Sequence, residues 1–119
     1  MSDPTYTVWV KTGTEALGGT DSNVYVMLFG ANGRTDWIFL PPQDVFAFEE
    51  NALDKFVLLA PDVGDLSRVC VAHDASADSG WFVEYVKVQR HSDGREWMFN
   101  FHQWVGDEEA GRRSVCADA

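Results

Sequence analysis

Short segments in which apolar residues alternate with polar ones, or follow one another, dominate the chain. Between residues 6 and 12, apolar side chains stand at every second position, beginning with Tyr6, Val8 and Val10. This period of two predicts a half-buried strand. The run Asn23–Phe29 is apolar on both parities and predicts a central strand that is covered on both faces.

Similar segments, separated by turn signals, continue to residue 104. They predict five further strands, at Thr35–Leu40, Lys55–Leu59, Ser67–His73, Phe82–Gln89 and Glu96–Trp104. Asn32-Gly33 and Asp93-Gly94 are typical of tight turns, because these residues tolerate positive φ. Seven or eight short strands without a segment of helical period predict an all-β, antiparallel β-sandwich.

The length of the chain and its lack of repeats predict one domain. A chain of 119 residues can bury a two-layer core but not two independent cores. No linker interrupts residues 1–106, which we take as the sandwich domain. From Glu108 the sequence becomes polar, so we expect residues 107–119 to form a loose C-terminal tail.

The charge of the chain limits its partners. Nineteen acidic and nine basic residues give a formal net charge of −10, which disfavours nucleic acid and suits divalent cations. No apolar run approaches the roughly 20 residues that a transmembrane helix needs. Residues 1–5 lack the features of a secretory signal. We therefore expect a cytoplasmic protein and leave open its peripheral association with membranes.

Neither the cysteines nor the glycine-rich loop indicates a cofactor. Cys70 lies in an apolar run and Cys116 in the polar tail, at a spacing that suits neither zinc nor redox chemistry, so we interpret both as free thiols. The loop Gly13–Thr20 has the glycine spacing of a phosphate-binding loop. However, Gly19 replaces the required lysine and a strand follows instead of a helix, which argues against nucleotide binding.

The acidic segment Asp74–Gly80 has two open interpretations. Its spacing differs from that of a calcium-binding helix-loop-helix, because glycine is seventh instead of sixth and Tyr85 stands where a glutamate is needed. It is therefore either an ordinary acidic calcium-binding loop or a solvated turn.

The sequence argues against an enzyme. It contains no Gly-x-Ser-x-Gly nucleophile motif, and a cysteine in mid-strand, such as Cys70, is usually buried and inert. Four tryptophans lie in or beside predicted strands, and we interpret most of them as core residues: Trp9, Trp81, Trp97 and Trp104. Trp37 and Phe39 are candidates for exposure at an edge.

An ordered set of segments carries a family resemblance. In chain order they are Tyr6-x-Val8-x-Val10-x-Thr12-Gly13, Gly19–Tyr25, Leu28-Phe-Gly30, Phe48-Glu49, Asp54-x-Phe56, Gly64-x-Leu66, Val69-x-Val71-x-His73-Asp74, Gly80-Trp81-Phe82, Val86-x-Val88, Trp97-x-Phe99 and Trp104. Together they resemble the PLAT (lipoxygenase homology) domain of lipoxygenases, polycystins, bacterial phospholipase toxins and small stand-alone proteins. We expect a small stand-alone member of that family.

The resemblance implies a sandwich of two four-stranded sheets and a non-catalytic binding role, often with calcium. The implied calcium ligands lie in loops at one end of the sandwich, and here they are Gly19, Thr20, Asp21, Glu49, Asp74 and Asp78. The chain departs from calcium-binding relatives at Phe46-Ala47, where they often carry Asn-Asp, although Asp44 lies nearby. At the loop tip that contacts membranes in lipoxygenases, only Leu17 is suited to insertion.

Two functions remain open at this point. The first is calcium-assisted binding to an anionic lipid or membrane surface, in which the metal bridges acidic loops to headgroups. The alternative is a calcium-stabilised protein–protein interaction domain. The net charge of −10 opposes binding to anionic membranes unless the metal screens it, and a protein partner leaves no motif.

Overall fold

The computed structural model describes residues 5–14, 20, 23–42, 47–74, 81–105 and 113–119. Within these ranges all regular structure is β-strand, arranged in two antiparallel sheets, which confirms the predicted all-β sandwich. The strands are β1 (Tyr6–Thr12), β2 (Val24–Gly30), β3 (Gly33–Arg34), β4 (Ile38–Leu40), β5 (Leu53–Leu58), β6 (Leu66–His73), β7 (Trp81–Arg90), β8 (Glu96–Val105) and β9 (Arg113–Asp118).

The first sheet has the strand order β5-β1-β7-β8, with β1 and β7 in the centre. Val8 of β1 lies opposite Phe56 on β5 and opposite Val88 on β7. This register places the apolar parity of neighbouring strands on the same face. The inward face is therefore continuous and apolar.

The second sheet has the order β3-β2-β6-β9, and β4 also pairs with β2. β3 and β4 lie one after the other along the same edge of β2, so together they occupy one strand position. The predicted strand Thr35–Leu40 begins only at Ile38, because the buried Thr35 side chain replaces regular pairing. Its hydroxyl accepts a hydrogen bond from the Leu28 N–H (3.1 Å) and donates one to the Asp36 carbonyl (2.8 Å).

The core lies between the two sheets and follows the alternation of the strands. Tyr6, Val8 and Val10 of β1 are fully buried, and the opposite sheet supplies Val26 and Val71. Burial of each such side chain stabilises the fold by about 1.5–3 kcal/mol relative to exposure. Across the described ranges, no helix is long and apolar enough to span a membrane.

Ion pairs close one end of the sandwich, where β6 begins and β7 ends. Arg90 contacts Asp65 (3.1 Å) and Asp93 (2.6 Å), and Arg95 contacts Asp65 (3.0 Å). The two guanidinium groups also lie 5.2 and 5.0 Å from the ring of Trp97. The hydrogen bond that the Asp93 carboxylate accepts from Arg90 lowers the pKa of Asp93 to about 2. This end is consequently held by charge, and we call it the ion-pair end.

Two predictions about the C-terminus are wrong. Residues 113–118 form β9, with Val115 and Ala117 against the core, instead of a loose tail. Cys70 and Cys116 lie directly opposite each other on β6 and β9 and form a disulfide, so they are not free thiols. Backbone pairing tolerates the polar side chains of this edge strand. The division into residues 1–106 and 107–119 stays a prediction.

We expect Cys116→Ser to lower the free energy of unfolding by about 2–4 kcal/mol, because the disulfide closes a loop of 46 residues in the unfolded chain. Urea denaturation under oxidising conditions measures this difference. In excess reductant the free energy of unfolding of the wild-type protein should fall by the same amount. Equal stability of the two proteins without reductant would contradict the role given to this bond.

Candidate ligand-binding loops

The end of the sandwich opposite the ion pairs gathers the loops that carry the predicted ligands. Here β1, β6 and β8 end and β2, β5 and β7 begin, as shown by Thr12 opposite Val83 and by Val24 opposite His73. His73 joins the two sheets through a 2.7 Å hydrogen bond between its Nε2 and the Val105 carbonyl. We call this end the loop end.

Thr20 and Glu49 lie in neighbouring segments of the loop end. The Thr20 N–H donates a hydrogen bond to the Phe48 carbonyl (2.9 Å), and Thr20 itself is buried. Glu49 follows directly, and its carbonyl accepts a hydrogen bond from Ala52 (2.9 Å). The side chain of Glu49 remains partly exposed. Two of the six predicted ligand positions are thus brought together from distant parts of the chain.

Asp74 connects the end of β6 to the start of β2. Its carboxylate accepts hydrogen bonds from the backbone N–H (3.1 Å) and the side-chain amide (2.8 Å) of Asn23, while the Asp74 N–H donates to the Asn23 carbonyl (3.1 Å). These three hydrogen bonds tie the residue after β6 to the residue before β2. Asp74 therefore orders the loop end.

The other predicted positions lie outside the described residues. These are Gly19, Asp21 and Asp78 as calcium ligands and Leu17 as the membrane contact. Within the ranges that the structure describes, no three His, Cys, Asp or Glu side chains form a group that can hold a metal ion. Of the six predicted calcium ligands, the structure describes Thr20, Glu49 and Asp74, and their role as ligands stays a prediction.

The segment 47–52 owes its shape to an aromatic anchor and a buried carboxylate. The Phe48 ring is buried at 5.6 Å from both Phe56 and Trp81, measured between ring centroids. Phe48 has a φ of 60°, which is uncommon for a non-glycine residue. Its N–H donates to the carboxylate of Asp54 (2.8 Å), which is also buried. Sequence reasoning did not identify Asp54 as the residue that orders this loop.

Hydrogen bonds from β1 hold the same segment from the other side. The Asn51 N–H donates to the Gly13 carbonyl (2.9 Å), and Lys11 Nζ donates to both the carbonyl and the side-chain oxygen of Asn51. Gly13 also contacts β7, since its N–H donates to the Phe82 carbonyl (2.9 Å). A Cβ on Gly13 would lie 2.5 Å from the Phe82 ring, so this position requires glycine.

Trp104 is exposed at the loop end, although it belongs to the group of tryptophans that the sequence predicted to lie mostly in the core. Its side chain is 45% exposed and packs edge-on against Phe82, with 5.3 Å between ring centroids. Trp104 has the same parity along β8 as the exposed residues Glu96, Met98 and Asn100. That parity predicts exposure of Trp104 from the sequence, but the general tendency of tryptophan to be buried pointed the other way.

Comparison with known proteins connects the sandwich and its loops to one family. The family model for the PLAT/LH2 domain matches residues 6–115. The chain is 41% identical over 107 residues to the lipoxygenase homology domain-containing protein 1 of Homo sapiens, covering 89% of this chain and 5% of that protein. It is 34% identical over 109 residues to the polycystin-1-like protein 1 of Homo sapiens, covering 90% of this chain and 4% of that protein.

The fold agrees with these sequence matches. The crystal structure of coral 8R-lipoxygenase superposes with a TM-score of 0.83 at 27% identity, covering 95% of this chain and 16% of that one. Its description attributes calcium activation of that enzyme to a C2-like domain. The chain thus spans only a small part of each of these similar proteins.

We expect Asp54→Ala to lower the free energy of unfolding by about 1–3 kcal/mol, because the buried Phe48 N–H loses its acceptor. Urea denaturation measures the effect, and the Phe48 amide should exchange faster with deuterium. Asp36→Ala is the matched control, since the Asp36 side chain is fully exposed. If the two variants are equally stable, Asp54 does not order the segment.

Proposed function

Because the chain belongs to the PLAT/LH2 domain family, we propose that it is a non-catalytic binding module that uses calcium at its loop end to bind an anionic lipid or membrane surface. The observation that carries this proposal is the convergence of separate chain segments at the loop end. Thr20, Glu49 and Asp74 each lie in one of them.

The proposed ligand set consists of Gly19, Thr20, Asp21, Glu49, Asp74 and Asp78. All can offer oxygens, as backbone carbonyls or as carboxylates, and calcium takes six to eight such ligands. Bound calcium would supply positive charge between the acidic loops and anionic headgroups. The hydrogen bonds of Thr20 to Phe48 and of Asp74 to Asn23 support the proposal, because they hold two ligand-bearing segments in place before a metal arrives.

The side chains proposed to contact the membrane are Leu17 and Trp104. Exposed tryptophans favour the headgroup region, where the ring meets apolar chains and the indole N–H meets water. Trp104 packs on Phe82, which is bonded to Gly13 at the start of the loop that carries Leu17. A tryptophan so close to that loop supports a contact surface at this end.

The absence of catalysis is also part of the proposal. Cys70 is engaged in the disulfide, and His73 bonds a backbone carbonyl. Both residues therefore have structural roles, which supports binding instead of chemistry as the function of the domain.

A second candidate is a calcium-stabilised protein-interaction domain. It is favoured by an apolar groove of about 250 Å³ between β4 and β5, lined by Ile38, Phe39, Pro41 and residues 56–59. Phe39, Val57 and Leu59 are 44–68% exposed there. The groove runs along the side of the sandwich, so a partner seated in it would not need the loop end.

We expect millimolar calcium to raise the melting temperature, because the unfolded chain cannot assemble ligands from distant segments. A ligand at a hundredfold excess over its Kd adds about 2.7 kcal/mol of stability, and each kcal/mol shifts the melting temperature by roughly 2–8 °C in domains near this size. Asp21→Ala should remove most of the shift, and Asp36→Ala should keep it. Identical melting curves in calcium and in chelator would remove the metal assignment.

We expect co-sedimentation with liposomes to require calcium and to increase with the content of anionic lipid, because the acidic loops otherwise repel the headgroups. Leu17→Asp and Trp104→Asp should both weaken binding, while Phe39→Asp, in the groove, should not. Binding that persists in chelator, or that prefers neutral lipid, would contradict calcium bridging. If wild-type protein binds calcium but no liposomes, the protein-interaction function takes precedence.

A further inference from the structure

All three lysines of this acidic chain lie on the outward face of the first sheet. Lys11 belongs to β1, Lys55 to β5 and Lys87 to β7, and Trp9 lies between the last two in register. The inward parity of the same strands is buried, so these side chains point away from the core. We call the surface around them the lysine face.

Trp9 forms the centre of the lysine face. Its ring lies 5.9 Å from Lys55 Nζ and 5.1 Å from Lys87 Nζ, within the range of cation–π attraction. A shallow depression of about 160 Å³ beside it is lined by Trp9, Leu53, Tyr85 and Lys87. The face thus presents an aromatic ring between two ammonium groups, next to a small apolar recess.

The positive charge on this face is only partly neutralised. Lys87 pairs with Glu96 at 3.0 Å. Lys11 donates to neutral oxygens of Asn51, and Lys55 lies over the Trp9 ring. Among the residues that the structure describes, no carboxylate lies within ion-pair distance of Lys11 or Lys55. The outward side of this sheet also carries Glu84, which pairs with His102 on β8 at 2.8 Å. Three lysines against these two glutamates leave an excess of positive charge on the face, in a chain whose net charge is −10.

Apolar side chains accompany the lysines. Leu53 and Val57, on either side of Lys55 along β5, are each 55% exposed, and Met98 on β8 is 44% exposed. A partner that covers the face must therefore offer carboxylates to the ammonium groups and apolar side chains to these residues.

We propose that the lysine face binds an acidic segment of a partner protein, one in which apolar side chains accompany Asp or Glu. This interaction lies beyond the calcium-assisted function of the loop end, and only the preference for a protein over a lipid partner rests in part on that function. Charge complementarity is the main argument, since within the Debye length of about 8–10 Å a short acidic segment meets mainly these lysines. A broad anionic membrane would also face the negative charge of the remaining surface, which opposes binding.

The geometry of the sandwich favours a protein partner over a lipid surface. The lysine face runs along the strands, whereas the loop end lies where the strands terminate. When the loop end rests on a membrane, the lysine face stands upright beside it. It is then accessible to another protein and not to the bilayer.

The test measures binding of a fluorescent synthetic peptide rich in glutamate and leucine by anisotropy, in chelator. The same peptide with lysine in place of glutamate is the control. We expect only the acidic peptide to bind, and we expect higher salt to weaken its binding. Lys55→Glu with Lys87→Glu should weaken binding about tenfold or more, because attraction at two positions becomes repulsion.

A matched control carries the same charge change on the second sheet. Arg34→Glu with Arg68→Glu alters two exposed arginines and should leave peptide binding within about twofold of wild type. Melting curves establish that each variant folds. If the variant with Lys55→Glu and Lys87→Glu does not fold, the variant with Lys55→Gln and Lys87→Gln takes its place. Calcium-dependent liposome binding of the Lys55→Glu, Lys87→Glu protein should persist, which separates this test from that of the proposed function.

Three outcomes would overturn the inference. The first is equal binding of the acidic and basic peptides, and the second is an equal loss of binding in the two charge-reversed pairs. The third is binding of wild-type protein, but not of the lysine variants, to phosphatidylserine vesicles in chelator, together with no binding of the acidic peptide. This last result would assign the face to lipid instead of protein.

Discussion

An extended strand can present only every second side chain to the interior, and this constraint organises both surfaces of the first sheet. The register that buries Val8 opposite Phe56 and Val88 also sets Trp9 between Lys55 and Lys87. A shift of one residue in β1 would expose the apolar parity and bury the lysine parity. The pairing of β1 with its neighbours therefore determines both the packing of the core and the arrangement of the lysine face.

The two ends of the sandwich are stabilised by different interactions. At the ion-pair end, Asp65 before β6 contacts Arg90 at the end of β7 and Arg95 before β8, and both guanidinium groups lie near the Trp97 ring. At the loop end, hydrogen bonds join residues far apart in sequence, as in Asn23 with Asp74 and Thr20 with Phe48. The two ends therefore differ in chemistry, since ion pairs between side chains hold one end and hydrogen bonds that involve the backbone hold the other.

Periodicity predicted most of the strands because their burial depends on local alternation. It failed for β9, which has a polar sequence. Backbone pairing to β6 and the disulfide of Cys116 hold this strand, and both depend on residues about 46 positions away, which a local pattern does not reveal. It also failed at Thr35, where a side-chain hydroxyl interrupts a strand. The ligand segments could be inferred only through the family resemblance, since neither Asp54 nor Asn23 shows in its local sequence what it holds in place.

The disulfide between β6 and β9 bears on where the folded protein is found. Such bonds persist in oxidising compartments and are rare in the cytosol, where glutathione keeps thiols reduced. A cytoplasmic location, as predicted from the sequence, would leave β9 held by backbone pairing and core contacts alone. An edge strand that detaches exposes the unpaired groups of its neighbour to other chains. An oxidising environment thus adds a covalent link that keeps β9 on β6, whereas a reducing one leaves the cover of this edge to noncovalent contacts.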